Sequence, residues 1–85
     1  MNILFPTRGW EDYVHWQLTD KKLLKKIYEL LKDIAGDSNS GIGRPEPLQY
    51  ALIGYWSRGT TEEHRLVYKV DGDTIKLGQA RYHYE

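Results

Sequence analysis

The spacing of the apolar residues changes once along this chain, and the change divides it into a helical part and a strand-forming part. Between residues 21 and 36 the large apolar residues recur at intervals of three and four: Leu23, Leu24, Ile27, Leu30, Leu31 and Ile34. That spacing places them on one face of an amphipathic helix. From residue 65 onward apolar and polar residues alternate, which is typical of a half-buried strand. The sequence therefore predicts an α+β fold.

A shorter helix is predicted before this one, over about residues 8–18. Thr7 is its expected N-cap, and Trp10 and Val14, four positions apart, are its expected core contacts. For the second helix, Thr19 or Asp20 is the expected cap and Gly36 the expected end. The opening "NILF" is short, apolar and compatible with a strand.

The second half of the chain is predicted to form an antiparallel meander on which both helices pack from one side. Residues 48–61 contain one or two strands, broken near Gly54, and "DGD" at 71–73 is a hairpin signal between two alternating segments. In that hairpin Arg65 pairs roughly with residue 79. Arg65 and Arg81 are then expected near one another on one face, with His83 further toward the strand end.

Composition limits the kind of protein this is. The 85 residues are expected to form one small domain over 1–85, and the absence of cysteine excludes a disulfide framework and a thiolate metal site. No apolar run approaches the roughly 20 residues that span a bilayer, and the start is unlike a secretory signal. We therefore expect a cytoplasmic protein without a membrane partner. The three histidines lack helical ligand spacing and no aspartate cluster occurs, so neither a metal nor another cofactor is predicted.

Charge gives a local signal and no overall one. Twelve Lys and Arg balance twelve Asp and Glu, so the net charge indicates no nucleic-acid partner. However, "KKLLKK" at 21–26 concentrates four lysines near a helix N-terminus, where the helix dipole favours acids. These lysines are candidates for phosphate contacts, although a lysine face is more often only a solvated face.

The irregular segment 36–47, "GDSNSGIGRPEP", presents one acid on a stiff backbone, because Glu46 stands between two prolines. Glu46, Arg65 and His83 would suit attack of an RNA 2′-hydroxyl on the adjacent phosphate. Glutamate can act as the base, arginine can stabilise the transition state and histidine can protonate the leaving oxygen. From spacing alone this signal is weak, and a purely structural role is the commoner one for each of the three.

Five stretches in order resemble one family: "WEDYVHWQLTDKKLLKKI", "GRPEPL", "GYWSR", "TEEHRLVY" and the terminal "RYHY". The chain resembles the YoeB toxins of YoeB–YefM toxin–antitoxin systems, within the RelE/ParE toxin superfamily. The resemblance implies a microbial-RNase fold in which two N-terminal helices pack on a four- to five-stranded antiparallel sheet, in the order β-α-α-β-β-β. It also implies a metal-independent endoribonuclease that cleaves mRNA in the ribosomal A site and so inhibits translation.

The resemblance also implies roles for individual residues. It makes Glu46 the base, Arg65 the transition-state arginine and His83 the acid. It adds Tyr84 as a substrate-placing residue and Glu63 as a further active-site acid. The other expected substrate contacts are Arg44, Gln49, Tyr50, Arg81, Lys21, Lys22 and Lys25.

The chain departs from the family pattern at four positions. Gly59 and Gln49 stand where a basic residue is usual, and Tyr50 where histidine is common in some members. Glu85 extends the chain one residue past the usual terminal tyrosine.

The expected partners are a YefM-like antitoxin, which would lay an acidic segment across the basic site, the ribosome and mRNA; a homodimer is also expected. Two alternatives stay open. One is a non-enzymatic binding module on the same fold, as in superfamily members that inhibit gyrase, and the other is a catalytically degenerate toxin.

Overall fold

The structure, a computed structural model, describes residues 1–82. Its elements are β1 (Asn2–Leu4), α1 (Thr7–Thr19), α2 (Lys21–Gly36), β2 (Glu46–Pro47), a 3-10 turn (Tyr50–Leu52), β3 (Trp56–Gly59), β4 (Arg65–Asp71) and β5 (Thr74–Gln79). The α+β class and the order of one strand followed by two helices are confirmed; four strands instead of three then follow, because Glu46–Pro47 form the short β2. Residues 48–61, which were expected to contain one or two strands, contain one. The part before Gly54 folds as the 3-10 turn, and the strand after it is β3.

The five strands form a single sheet in the order β1-β5-β4-β3-β2. Strands β2 to β5 are antiparallel neighbours, as expected for a meander. Strand β1 instead pairs in parallel with β5, with Asn2 opposite Thr74. The expected all-antiparallel sheet is therefore a mixed sheet. The parallel pair arises because α1 and α2 form part of the long crossover that parallel strands require.

Helix α2 packs as its apolar stripe predicts. Asp20 caps its N-terminus, since its Oδ1 accepts hydrogen bonds from the backbone N–H groups of Lys22 at 3.1 Å and Leu23 at 3.0 Å. Four residues of the stripe are buried, and they share one core with side chains of α1, β4 and β5. The principal members of that core are Leu23, Ile27, Leu30, Ile34, Trp16, Leu66, Tyr68, Ile75 and Leu77.

Helix α1 faces the sheet through residues other than those predicted. It begins at Thr7 itself, with Pro6 in the N-cap position, so the expected Thr7 cap is wrong. Its buried residues are Gly9, Asp12 and Trp16, whereas Trp10 is 51% exposed. A Cβ on Gly9 would lie 1.9 Å from the carbonyl oxygen of Leu77. Only glycine permits this approach of helix to strand, which turns the Gly9 side inward and leaves Trp10 outside.

The β4–β5 hairpin turns at Gly72, which has a φ of 58°, and Asp71 pairs with Thr74. Tyr68 pairs with Leu77 but Val67 pairs with Gln79, so Gly78 is an extra residue in β5. This bulge shifts the register beyond it. The expected pairing of Arg65 with residue 79 is therefore wrong.

Past the bulge, the N–H of Arg65 donates to the carbonyl oxygen of Tyr82 at 2.9 Å. The expected alternation is also lost, since β5 ends at Gln79 and Ala80 is buried in the core. Within residues 1–82, no helix is long and apolar enough to cross a membrane.

Candidate active site

Three adjacent strands bring an acid and an arginine together on the sheet face opposite the helices. Arg58 of β3 pairs with Leu66 of β4, and both are fully buried on the helix side. Because neighbouring residues of a strand point to opposite faces, Ser57 and Arg65 project the other way. Glu46 of β2 pairs with Ser57, which places its carboxylate beside the guanidinium of Arg65. Glu46 and Arg65, two of the three residues considered for acid–base chemistry, therefore lie side by side.

The guanidinium of Arg65 is held in one orientation by three hydrogen bonds. Its Nε donates to Oγ of Ser57, and its Nη2 donates to the carbonyl oxygens of Arg44 at 3.0 Å and Ser57 at 3.2 Å. Nη2 also lies 3.6 Å from Oε1 of Glu46. The side chain of Arg65 is 14% exposed and that of Glu46 is 49% exposed. A mostly buried cation thus lies beside an acid that solvent or a ligand can reach.

Nη1 of Arg65 is left for another partner. Among residues 1–82 it has no hydrogen-bond acceptor, and it lies beside Gly59, where a Cβ would come within 3.3 Å of it. A side chain at position 59 would therefore crowd this edge of the guanidinium.

The chain reaches Glu46 through a turn of unusual backbone geometry. Gly43 has a φ of 82° and Arg44 a φ of 55°. The carbonyl oxygen of Gly43 accepts a hydrogen bond from the N–H of Gly59 at 2.7 Å, which fixes the turn to β3. Glu46 follows two residues later, between two prolines. Its position is therefore set by the sheet edge and by a stiff backbone.

Arg58 fixes the earlier part of the same loop from inside the protein. Its guanidinium is fully buried, and its donors contact Oδ2 of Asp33, the hydroxyl of Tyr68 and the carbonyl oxygens of residues 37, 40 and 42. The hydrogen bond from Arg58 is the main reason why the pKa of Asp33 lies below its usual value. Burial raises the pKa of Tyr68, and the hydrogen bond from Arg58 opposes that effect. Sequence reasoning missed this anchor, although Arg58 stands at a core-facing position of its strand.

A pocket opens beside Arg65, between the loop before β2 and the turn after β3. Its lining consists of Lys26, Gly43, Arg44, Gly59, Thr60, Thr61, Glu62 and Arg65. The α2 lysine at this pocket is Lys26, whereas the predicted contacts Lys21, Lys22 and Lys25 are exposed on α2 and are not part of its lining. Lys26 belongs to the "KKLLKK" run, whose four lysines were candidate phosphate contacts, and it is the one of the four that lines this pocket.

The remaining predicted contacts lie outside this pocket. Glu63 is exposed in the turn before β4, where its N–H donates to Oγ1 of Thr61 at 3.2 Å. Gln49 and Tyr50 are exposed after β2, and Tyr50 is 90% exposed with a φ of 57°. His83, Tyr84 and Glu85 lie outside the described residues. Within residues 1–82, no three His, Asp or Glu side chains are arranged to hold a metal ion.

Arg81 lies in a different pocket from Arg65. It lines a pocket with Arg8, Glu11, Asp12, His15 and Tyr82, beside α1. Its Cζ is 4.8 Å from the ring centre of Tyr82 and 6.0 Å from that of Trp16, which belongs to the core on the helix side. The expectation that Arg65 and Arg81 share one face is therefore wrong. The bulge at Gly78 and the end of β5 at Gln79 break the alternation on which it depended.

Comparison with known proteins agrees with this fold. The model of a family described as YoeB-like toxins of bacterial type II toxin–antitoxin systems matches residues 5–84. Toxin YoeB of Streptomyces coelicolor is 54% identical over 84 residues, which are 99% of this chain and 100% of that protein. A YoeB/ParE toxin from Agrobacterium tumefaciens superposes with a TM-score of 0.94 at 40% identity, over 99% of this chain and 100% of that one. A chain of the YoeB–YefM complex from Staphylococcus aureus gives 0.92 at 48% identity, over 99% and 98%.

The mixed sheet under two helices and the paired acid and arginine, together with these similarities, define a toxin of a bacterial type II toxin–antitoxin system. Within that class, the chain belongs to the family of YoeB-like toxins.

Proposed function

We propose that this toxin is an endoribonuclease that cleaves mRNA in the ribosomal A site and so inhibits translation. The observation that carries the proposal is the pairing of Arg65 with Glu46 at 3.6 Å, with Arg65 at the wall of a pocket and its Nη1 without an acceptor among residues 1–82. An acid beside a fixed guanidinium with an unused donor edge suits a reaction that removes a proton and builds negative charge on a phosphate.

In the proposed reaction, the carboxylate of Glu46 takes the proton of an RNA 2′-hydroxyl. The 2′-oxygen forms a bond to the adjacent phosphorus, and the bond from phosphorus to the 5′-oxygen breaks. His83 gives its proton to that leaving oxygen. The products are a 2′,3′-cyclic phosphate and a 5′-hydroxyl. No metal ion is needed in this route, because the guanidinium of Arg65 stabilises the charge on the non-bridging oxygens.

The surroundings of Arg65 support this role. Its bonds to Ser57 and to the Arg44 carbonyl already fix the plane of the guanidinium, so little reorganisation is needed when charge develops. Lys26 and Arg44 add positive charge at the same pocket, which suits neighbouring phosphates of the RNA. Tyr84, Glu63 and the exposed pair Gln49 and Tyr50 remain proposed substrate contacts.

We also propose a YefM-like antitoxin as the partner, and a dimer as an assembly state of the toxin. The Staphylococcus aureus relatives were solved as a YoeB–YefM complex, as a heterotetrameric complex and as a YoeB dimer. The pocket lined by Lys26, Arg44 and Arg65 would receive an acidic segment of the antitoxin, which would compete with RNA for the same cations.

The test is cleavage of a defined mRNA on purified ribosomes by the wild type and by three variants: Glu46→Gln, Arg65→Lys and His83→Ala. Loss of a general acid or base lowers the rate by about 10²–10⁴-fold. Loss of the rigid fork of Arg65 lowers it by about 10²–10³-fold. Glu29→Gln on the exposed side of α2 and Arg8→Lys on α1 are matched controls and are expected to cleave normally.

Full cleavage by Glu46→Gln or His83→Ala would refute that residue's role. Growth arrest on expression without antitoxin, undiminished in all three variants and with intact mRNA, would instead indicate a binding module. No arrest by the wild type would indicate a degenerate toxin.

A further inference from the structure

Tyr82 is held on both sides of its backbone by two consecutive residues: His64, which precedes β4, and Arg65, its first residue. Its N–H donates to Nδ1 of His64 at 2.7 Å, and its carbonyl oxygen accepts from the N–H of Arg65 at 2.9 Å. Tyr82 has a φ of 61°, a left-handed conformation that a residue with a side chain rarely adopts without help from its surroundings. The two bonds lie where β5 has already ended.

The residues between β5 and Tyr82 are also fixed by side chains. The N–H of Ala80 donates to Oδ2 of Asp12 at 2.9 Å, and its carbonyl oxygen accepts from Nε1 of Trp16 at 2.8 Å. The carbonyl oxygen of Arg81 accepts from Nε2 of Gln79 at 2.9 Å. The path of the backbone after the strand is therefore set residue by residue, and His64 provides the last side-chain contact before residue 83.

The imidazole of His64 is itself held in place. Its ring centre lies 4.8 Å from that of Trp16 and 5.6 Å from that of Tyr82. The backbone carbonyl of His64 accepts two hydrogen bonds from Thr60: one from its N–H at 3.0 Å and one from its hydroxyl at 3.1 Å. Nδ1 acts as the acceptor in this contact, which corresponds to the tautomer that carries its proton on Nε2. His64 thus combines a packed ring with an acceptor aimed at one backbone N–H.

We propose that His64 is a positioning residue for catalysis: its Nδ1 fixes the backbone of Tyr82, the residue to which His83 is bonded in the sequence. The proposal rests on the proposed function, in which His83 is the general acid. Loss of the acceptor frees the φ and ψ of Tyr82 and so loosens the anchor from which the next residue extends. A misplacement of about 1 Å at a reacting group lowers a rate by about 10²-fold.

A matched pair of variants separates the acceptor from the ring. His64→Phe keeps an aromatic ring against Trp16 and removes the acceptor. His64→Asn removes the ring, but its Oδ1 stands the same number of bonds from the backbone as Nδ1 and can accept from the N–H of Tyr82. His15→Phe is the control, because His15 also packs on Trp16, at 4.7 Å, and has no bond to Tyr82.

We expect His64→Phe to lower kcat for ribosome-dependent cleavage by roughly 10–100-fold with KM nearly unchanged, by the same positional argument. His64→Asn should retain most of the wild-type kcat, and His15→Phe should equal the wild type. The reverse order, with His64→Asn impaired and His64→Phe active, would overturn the proposal, since it would show that the ring matters and the acceptor does not. Equal kcat in both variants and the wild type would overturn it as well.

Two NMR measurements need no RNA and keep this inference separate from the proposed nuclease activity. In the wild type, the nitrogen shifts of His64 should show the tautomer protonated on Nε2, and the amide proton of Tyr82 should be protected from exchange. In His64→Phe that amide should exchange at least about tenfold faster. A proton on Nδ1, or an unprotected Tyr82 amide in the wild type, would refute the positioning contact whether or not His64→Phe folds. A wild type that shows the contact but cleaves no mRNA would refute the proposed function instead.

Discussion

Replacement of Arg58 by lysine keeps a positive charge in the core and should still destabilise the protein strongly. The five N–H donors of the Arg58 guanidinium all have acceptors: the hydroxyl of Tyr68, Oδ2 of Asp33 and the carbonyl oxygens of residues 42, 37 and 40. Lysine has three donors, so at least two of these acceptors lose their partner. Each lost hydrogen bond to the charged guanidinium costs about 1–3 kcal/mol, which gives a loss of about 2–6 kcal/mol in the free energy of unfolding.

The measurement is urea unfolding followed by tryptophan fluorescence, with thermal unfolding as a second probe. A loss of this size lowers Tm by at least about 8 °C, since 1 kcal/mol corresponds to roughly 4–8 °C in a domain of this length. Arg8→Lys is the matched control, because Arg8 makes its ion pair with Asp12 from a half-exposed position and should lose less than about 1 kcal/mol. The loop anchored by Arg58 leads to Arg44 and Glu46, so mRNA cleavage should fall as well.

A loss below about 1 kcal/mol for Arg58→Lys would refute the reasoning, because it would show that the loop does not depend on a five-donor group. A loss equal to that of Arg8→Lys would have the same meaning, since the two substitutions differ in burial and not in charge.

Three further outcomes are expected. Gly59→Ala should lower cleavage with little change in Tm, because its Cβ would lie 3.3 Å from Nη1 of Arg65, whereas Gly36→Ala, with no atom within 4 Å of the new Cβ, should cleave normally. Asp12→Asn should destabilise the protein, measured by urea unfolding, because the buried carboxylate accepts from both the Ala80 N–H and Nε of Arg8. The pKa of Asp33 is lowered in the folded protein, so its ionised carboxylate stabilises the fold at pH values above its usual pKa of 3.8. This stabilisation is lost as the pH falls through the folded pKa. The difference in unfolding free energy between the wild type and Asp33→Asn should therefore be largest above about pH 4 and shrink below it; a difference that grows in acid would contradict this.

The parts of the fold that depend on local sequence were predictable. The α2 stripe and the Asp20 cap follow from residue spacing and hydrogen-bonding chemistry, and the hairpin turn follows from the glycine at 72. The burial of Trp16 instead of Trp10 was not predictable, because periodicity identifies the faces of a helix but not which one approaches a strand. That choice depends on the contact between Gly9 and the Leu77 carbonyl, 68 positions apart.

The candidate site was also predictable only where it depends on local sequence. The stiff "RPEP" segment drew attention to Glu46 and the family resemblance to Glu46 and Arg65, but their contact depends on the register of β2, β3 and β4, which local patterns do not determine. The bulge at Gly78 has no signature in the alternation, so the placement of Arg81 with Arg65 failed. The sequence did not distinguish Lys26 from its neighbours in "KKLLKK", because all four lysines give the same charge signal and only the packing of α2 decides which one lies at the pocket.

The parallel pairing of β1 with β5 joins the first strand along the chain to the last. The N–H of Asn2 donates to the carbonyl oxygen of Asp73 at 2.8 Å, so this contact closes a loop of about 70 residues. The entropy of closing such a loop is about 4 kcal/mol, and it must be offset by contacts formed elsewhere first. During vectorial synthesis the hairpin that receives β1 is the last part of the sheet to leave the ribosome. A nascent chain therefore has both helices and the Glu46 strand before it has the completed sheet, and it gains its final architecture only after most of its length has been translated.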